Sequence, residues 1–368
     1  MRWRTRGNRA GMALALSMAM AGPALADAID SASIADLGNF QATGISRDGR
    51  VAGMSGWKPA IYQSGRPLTM LDPTNGTGYA VISPGGTIAY SGGRPQVYSG
   101  SGSTAQVLRN GVVSDAGTAS DGHLVGGGEY SIPHAVNDAG AVAGESHAFG
   151  RWNRAFTSSP DAWSGKYSPV AMGANGGSVS NALGINSKGT VVGWSDVATQ
   201  WKNHAFVGTP SHDIGTLGGP NSQANAINDQ GQVVGQADLS AGNHHAFLYD
   251  SGGMHDLGTL AGAFDSTALA INSLGQVVGN SGGHAVLFQD GEVIDLNAFL
   301  PKDSGWILQT AIGINDVGQI VGTGTLDGQD HSYLLSLYGT IVPAPEPSTW
   351  AIFAVAAIGL VGSRMRRK

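Results

Sequence analysis

The sequence of 368 residues contains no cysteine, and this absence excludes disulfide frameworks and thiolate metal sites. Charged residues are also scarce, at 12%, and aromatic residues make up only 7%. Hydrophobic residues, at 41%, are numerous enough for a core, so a wholly disordered chain is excluded. The abundant residue is glycine, at 58 copies. Without the three-residue period of collagen, this composition predicts many short strands joined by tight turns.

The first 26 residues have the pattern of a secretory signal peptide. A start with four arginines precedes an uncharged, largely apolar run, and Ala24 and Ala26 provide the small-x-small cleavage pattern. We therefore predict a cleavable signal helix over residues 1–26, which directs the chain to the secretion machinery. Cleavage is predicted before Asp27, with cleavage after Ala28 as the alternative. A retained anchor is disfavoured because the apolar run is short for a membrane span.

The last 26 residues, 343–368, contain three successive features. The motif Pro345-Glu346-Pro347 comes first, and the segment from Ser348 to Ser363 carries no charge. Its 16 residues would form a helix of about 24 Å, which is short for a bilayer core of about 30 Å. The chain then ends in four basic residues, Arg364, Arg366, Arg367 and Lys368. By the positive-inside rule this end is cytoplasmic, so we predict a short transmembrane helix with the preceding body outside.

This order of Pro-Glu-Pro, short apolar helix and basic end resembles the PEP-CTERM sorting signal of Gram-negative bacteria. The resemblance implies recognition by an exosortase-type enzyme that cuts near the Pro-Glu-Pro motif. It also implies an inner-membrane intermediate, a final place at the cell surface or in the extracellular matrix, and a bacterium that makes exopolysaccharide and biofilm. A plain tail anchor is the alternative. Removal of both ends leaves 12 basic and 25 acidic residues, a net charge near −13, which disfavours nucleic acid and anionic membranes as partners.

A ten-residue motif recurs along the chain. Four copies are well preserved: GINSKGTVVG (184–193), AINDQGQVVG (226–235), AINSLGQVVG (270–279) and GINDVGQIVG (313–322). In each copy, apolar residues flank a turn of asparagine and glycine, which predicts a β-hairpin. In the second copy a third strand is predicted at His245–Tyr249 and a fourth at Met254–Thr259.

The spacing of the turn glycines indicates the architecture. Gly189, Gly231, Gly275 and Gly318 are 42, 44 and 43 residues apart, as expected for the four short strands of a β-propeller blade. Less regular copies place turns at Gly49, Gly86 and Gly140, which gives seven units. We therefore predict an all-β chain, a β-propeller of about seven four-stranded blades over residues 27–342.

The less regular units require choices of register. In the unit of Gly140, the third strand is predicted at Arg154–Phe156 and His147 in a loop, with an insertion over about 157–178. In the two units before it, third strands are predicted at Pro95–Tyr98 and Pro59–Tyr62, and SDGHLVGG, near Gly122, is taken as an insertion in the second blade. The last unit lacks a fourth strand. The N-terminal segment from Asp36 to Phe40, a copy of that strand, is predicted to supply it and so close the ring.

The His-Ala-Phe segment, the Ile-Asn-Asp-x-Gly turn and the Asp-Leu-Gly-Thr-Leu-Gly-Gly linker together resemble the HAF family of extracellular repeats. The resemblance covers about residues 130–335 clearly and 32–130 weakly. Because such repeats commonly accompany PEP-CTERM tails, the two resemblances support each other. The family implies no known activity.

No catalytic or cofactor-binding set stands out. The histidines that recur once per repeat, His204, His245, His284 and His331, are predicted to be structural, forming hydrogen bonds between blades. The turn aspartates Asp138, Asp229 and Asp316 suggest calcium, but serine replaces them in other repeats and no EF-hand pattern exists. A G-x-S-x-G elbow is also absent. We therefore predict no catalytic residues, no metal site and no cofactor.

Tryptophans give the only hint of a ligand. Trp152, Trp163, Trp194 and Trp201 fall in the third and fourth blades, where exposed indoles could stack on sugar rings; packing between blades is the alternative. The sequence thus predicts an exported, non-catalytic binding or structural protein of the cell surface or exopolysaccharide matrix. The alternatives are a polysaccharide-processing enzyme on the same propeller and a scaffold without a ligand.

Overall fold

The computed structural model describes residues 31–71, 78–93, 103–117, 130–147, 153–160, 167–171, 176–197, 202–208 and 211–338. The predicted signal helix and transmembrane sorting helix lie outside these residues. Within them no helix is long and apolar enough to cross a membrane.

The described residues form seven antiparallel sheets of four strands each. Blades 1–3 contain β2 (Gln41–Ile45), β3 (Val51–Ser55), β4 (Lys58–Tyr62) and β5 (Thr69–Met70); β6 (Ala80–Ile82), β7 (Ile88–Gly93), β8 (Ser103–Arg109) and β9 (Val112–Gly117); and β10 (Tyr130–Val136), β11 (Val142–His147), β12 (Arg154–Pro160) and β13 (Tyr167–Ala171). Blades 4–6 contain β14 (Gly176–Ile185), β15 (Val191–Val197), β16 (Asn203–Val207) and β17 (His212–Asp213); β18 (Gly218–Ile227), β19 (Val233–Leu239), β20 (His244–Asp250) and β21 (Gly253–Gly258); and β22 (Ser266–Ile271), β23 (Val277–Ser281), β24 (His284–Gln289) and β25 (Glu292–Asp295).

Blade 7 combines the two ends of the described chain. It contains β26 (Trp306–Ile314), β27 (Gln319–Leu326) and β28 (Gln329–Tyr338), and its outermost strand is β1 (Ser31–Gly38). A short 3₁₀ helix, Leu296–Phe299, connects blade 6 to blade 7. The prediction that an N-terminal strand completes the last blade is confirmed, and the seven-bladed propeller with it.

The first strand of every blade contacts the first strand of the next one, from blade 1 round to blade 7 and back. These strands therefore surround a central channel. The core consists of apolar layers between successive blades, such as the one in which Val192 and Ala205 of blade 4 meet Val233 and Phe247 of blade 5. One repeat alone could not bury these faces, which explains why the sequence repeats a whole blade.

The hairpin turn of each preserved repeat is built around asparagine. In blade 5 the side-chain oxygen of Asn228 accepts hydrogen bonds from the backbone N–H groups of Gln230 and Gln232. Gly231 donates its own N–H to the carbonyl of Asn228 and has a φ of +84°, a conformation that favours glycine. The asparagine and the glycine of the motif are thus both required by the turn.

The second glycine of the motif is required by space. A Cβ on Gly235 would lie 1.9 Å from the carbonyl oxygen of Gln223 and 2.9 Å from the ring of Phe247. The cause is a bulge in the first strand, which brings its carbonyl towards this glycine. Blade 2 shows no such shift in its first strand and has Tyr90 at this position.

Three predictions in the less regular blades are wrong. His147 lies at the end of β11, paired with Tyr130, because the second strand of blade 3 extends past its glycine. Residues 157–178 are no insertion, since they contain the end of β12, all of β13 and the start of β14. The third strand of blade 2 is β8, whereas Pro95–Tyr98 and the SDGHLVGG segment lie outside the described residues. The third strands at Pro59–Tyr62 and Arg154–Phe156 are confirmed.

Candidate functional site

The recurrent histidines each contact an aspartate of the fourth strand in the same blade. The Nδ1 atoms of His204, His245 and His284 lie 2.8, 2.9 and 2.6 Å from carboxylate oxygens of Asp213, Asp256 and Asp295. In blade 7 the partner of His331 is Asp36, at 2.8 Å, so this pair joins the N-terminal strand to the last blade. The prediction of bonds between blades is therefore wrong for these histidines, because neighbouring strands of one sheet already bring the two side chains together.

The aspartates also hold the backbone at the end of each fourth strand. Asp256 accepts the backbone N–H of Gly258 at 2.8 Å, and Asp213 accepts that of Gly215 at the same distance. Glycine follows two residues later in these two blades because Gly215 and Gly258 have a positive φ, whereas Asp295 accepts the N–H of Asn297 in the same way. The contact between blades belongs instead to His244, whose ring lies 3.4 Å from Asp265 at the start of the next blade.

Buried asparagines link the blades around one mouth of the channel. Each donates its side-chain N–H to the backbone carbonyl at the same turn of the next blade, at 3.0–3.2 Å. The donors, in order around the ring, are Asn137, Asn186, Asn228, Asn272 and Asn315, and the last bonds to Ser46 of blade 1. The turn that folds a blade therefore also attaches it to its neighbour.

The residues that follow these asparagines line the channel mouth. Asp138, Asp229 and Asp316 come together here with Arg47, whose Nε lies 3.2 Å from Asp316. Burial would raise the pKa of Asp316, but hydrogen bonds from Ser273 and Arg47 outweigh it and lower that pKa. The cavity measures about 90 Å³, room for a few water molecules. Among the described residues no three acidic or histidine side chains are placed to hold a metal ion.

A buried polar pair joins blades 2 and 3. The hydroxyl of Tyr79 lies 2.7 Å from Nδ1 of His134. Burial lowers the pKa of His134 to about 4; burial and then the charge of Glu145 raise that of Tyr79 to about 12. The Nε2 atom of His134 is buried without a hydrogen-bond partner in the described part of the chain. The histidine is thus held neutral, a state that protonation would disrupt.

The predicted ligand and sorting residues are only partly described. Trp194 is half-buried in β15, opposite Asn181 of the first strand. Trp152, Trp163 and Trp201 lie outside the described residues, as do Ala24, Ala26, Pro345, Glu346, Pro347, Arg364, Arg366, Arg367 and Lys368. The structure therefore does not bring the four tryptophans together as a site, and the glycan contacts assigned to them stay a prediction.

Sequence reasoning missed the Tyr79–His134 pair and a groove between blades 5 and 6 that contains Phe264, His244 and Asp265. The signal available for the groove is a departure from the repeat. Where blade 5 begins with Pro220 and Asn221, blade 6 has Phe264 and Asp265.

Comparison with known proteins identifies the tail and the fold. Residues 343–368 match the PEP-CTERM protein-sorting motif. This motif indicates export, processing by an exosortase and sorting to the cell surface of a Gram-negative bacterium. Comparison with curated proteins gives no significant match.

Two solved structures are similar to the propeller. The β-propeller domain of the Trilobed protease from Pyrococcus furiosus, described as having an open velcro topology, is 12% identical with a TM-score of 0.50, over 86% of this chain and 99% of that domain. TolB from Acinetobacter baumannii is 13% identical with a TM-score of 0.42, over 85% of this chain; this chain covers only 65% of TolB. At such identity the first likeness shows the propeller fold alone.

Proposed function

We propose that the protein is an exported surface or matrix component whose propeller is a rigid, non-catalytic scaffold that binds exopolysaccharide. The observation that carries the proposal is the sorting motif at residues 343–368, placed after a propeller. The proposal also includes three steps of maturation: removal of residues 1–26, cleavage near Pro345–Pro347, and incorporation of the body into the matrix of a biofilm.

The chemistry of the described residues supports a binding scaffold. The recurrent histidines and aspartates hold strands together within blades, and the buried asparagines hold blades to one another. Their hydrogen-bonding capacity is used for rigidity, and a rigid scaffold loses little conformational entropy on binding. The acidic body repels anionic partners and favours a neutral, hydroxyl-rich one.

The test is binding of the full chain, purified in detergent, to exopolysaccharide from the source bacterium. We expect saturable binding without release of reducing ends. Released reducing ends would support the alternative of a polysaccharide-processing enzyme. Binding to no polysaccharide, together with a correctly sorted protein, would contradict the proposed ligand and leave a scaffold without a ligand.

A further inference from the structure

A groove of about 640 Å³ lies between blades 5 and 6, on the face of the ring opposite the asparagine turns. Its walls are the connection from β21 to β22, the turn from β23 to β24, and His244 at the start of β20. The volume falls within the range of small-molecule clefts, about 300–1,000 Å³, and is several times that of the channel mouth. The groove is therefore the more spacious of the two cavities.

The connecting segment is fixed by hydrogen bonds. The hydroxyl of Ser281, which is fully buried, accepts the backbone N–H of Leu260 and donates to the carbonyl of Asp265, both at 3.0 Å. Ala263 donates its N–H to the carbonyl of Leu260 at 2.9 Å. Between these anchors, Phe264 is 74% exposed. A well-braced segment thus presents an aromatic ring to solvent.

The equivalent position between blades 4 and 5 shows which parts of this groove the fold requires. Ser222 and Ser266 accept the N–H of Ala205 and Ala246, respectively, both at 2.8 Å. One residue earlier, Asn221 accepts the N–H of Asn203 and Asp265 accepts that of His244, both at 3.1 Å. These two backbone contacts are thus the same in the two places, whereas the hydrogen bonds of Ser281 have no counterpart in blade 5, which has Ala237 at that position.

The side chains at these two places differ. Blade 5 has Pro220 and Asn221, and the amide of Asn221 donates to Asp238 at 2.7 Å. Blade 6 has Phe264 and Asp265, and glycine, at position 282, replaces Asp238. Asp265 keeps the backbone contact that Asn221 makes, but a carboxylate cannot donate as the amide of Asn221 does, and glycine replaces the partner of that amide. The fold therefore requires an acceptor at position 265 but explains neither its negative charge nor the exposed phenylalanine before it.

Two imidazoles complete the groove. Nδ1 of His244 lies 3.4 Å from Asp265, and Nδ1 of His284 lies 2.6 Å from Asp295. Because a carboxylate only accepts hydrogen bonds, the form of His284 that bonds to Asp295 with its Nδ1 proton alone leaves Nε2 as an acceptor, and the ring of His244 lies beside the Asp265 carboxylate. Both side chains are well exposed, at 39% and 47%. The groove therefore presents hydrogen-bond acceptors around an exposed aromatic ring.

We propose that this groove is a saccharide-binding subsite. The apolar C–H face of a sugar ring would stack on Phe264, and its hydroxyls would donate to the Asp265 carboxylate and to the imidazoles of His244 and His284. Several hydroxyl donors next to an apolar face are characteristic of sugars, whereas a nucleic acid would bring phosphates against Asp265. The subsite rests on the proposed function, since it gives the exopolysaccharide a place on the propeller.

The test compares variants of the full chain for binding oligosaccharides released from that exopolysaccharide, by titration calorimetry. Phe264→Ala is expected to weaken binding at least tenfold, and Asp265→Asn several-fold, since an asparagine keeps the backbone bond that Asn221 makes. Pro220→Ala, in the equivalent place of blade 5, is the control and should bind as the wild type does. Saturation-transfer NMR should show sugar C–H protons against an aromatic ring in the wild type and lose that transfer in Phe264→Ala.

The outcomes are distinguishable. Because the ring of Phe264 is exposed, Phe264→Ala should unfold at the temperature of the wild type, so lost binding would not reflect lost folding. Wild-type binding that Phe264→Ala leaves unchanged would overturn the subsite while the proposed function stands. A wild type that binds no saccharide, or that binds only peptides, would overturn both.

Discussion

Blades 4–7 each pair a histidine of the third strand with an aspartate of the fourth, whereas in blades 1–3 the histidine position is occupied by Lys58, Thr104 and Arg154. Blade 2 nevertheless keeps Asp115, which accepts the backbone N–H of Gly117 at 2.8 Å, as Asp256 does for Gly258. The backbone role of the aspartate thus survives the loss of its histidine. The histidine is an addition to a turn that already forms without it.

Blades 5 and 2 also differ at the glycine of the second strand. Blade 5 combines Gly235, a bulged first strand and Phe247, whereas blade 2 has Tyr90, no such shift in its first strand, and Gln106 in place of the phenylalanine. Blades 1 and 6 keep the glycine and the bulge but have Ala60 and Val286 in place of the phenylalanine, so the glycine is coupled to the bulged strand, and blade 2 has lost both. The glycine and the bulged strand therefore depend on each other. Replacing this glycine in a regular blade should lower the free energy of unfolding by more than the addition of one methyl group suggests.

Ring closure depends on a strand distant in sequence, so its removal should have the largest effect. Deletion of residues 34–40 removes most of β1, the His331 partner Asp36, and Phe40, which is buried against blade 1. We expect a loss of at least about 4 kcal/mol in the free energy of unfolding, since a single buried phenylalanine accounts for about 3–5 kcal/mol. The measurements are thermal unfolding and light scattering, because the exposed edge of β28 should aggregate.

The control for this deletion is Asp36→Asn, which keeps the strand and changes only one carboxylate. The Asp36–His331 pair is partly exposed, so a change within about 1 kcal/mol is expected. An unfolding temperature that the deletion leaves unchanged would show that the ring does not depend on its N-terminal strand.

The coupling within a regular blade is tested by Gly235→Ala. The new methyl group would meet the carbonyl of Gln223 at 1.9 Å, a contact that the backbone must move to relieve. Overpacking of this kind costs about 1–3 kcal/mol and occasionally more, and we expect the upper end because the obstacle is backbone. Gly44→Ala is the matched control, since its methyl group would meet only Ile82, at 3.9 Å. Equal stability of the two variants, measured by chemical denaturation, would refute the steric reason for the glycine.

The sequence predicts the ring well because its strongest signals are local. Asparagine and glycine mark each turn, and the distance between turns gives the number of strands per blade. Prediction failed in blades 2 and 3, where the residues that mark a strand are themselves replaced, as Tyr90 replaces glycine. It also failed for the groove of Phe264 and His244, because these residues come from different blades and meet only in the folded ring.

Blades 1–3 should also differ from blades 4–7 in how their stability responds to acid, because blade 3 contains His134. Blades 4–7 have Leu183, Asn225, Leu269 and Ile312, respectively, where blade 3 has this buried imidazole. Because burial lowers the pKa of His134 to about 4 in the folded state, the unfolded chain binds a proton that the folded chain does not between pH 6.5 and 4. Stability therefore falls as the pH falls through this window. The loss should be about 3 kcal/mol at pH 4 relative to pH 7.

His134→Gln tests this, because glutamine retains a group that can bond to Tyr79 and does not titrate. The variant should be somewhat less stable at pH 7, yet lose about 3 kcal/mol less than the wild type on acidification, as measured by denaturation at each pH. His212→Gln, which removes an exposed imidazole, should leave the pH profile close to that of the wild type. If His134→Gln and the wild type lost stability in parallel from pH 7 to pH 4, the acid sensitivity would have to be assigned to groups shared by all blades. Blades 1–3 and blades 4–7 would then respond to acid in the same way.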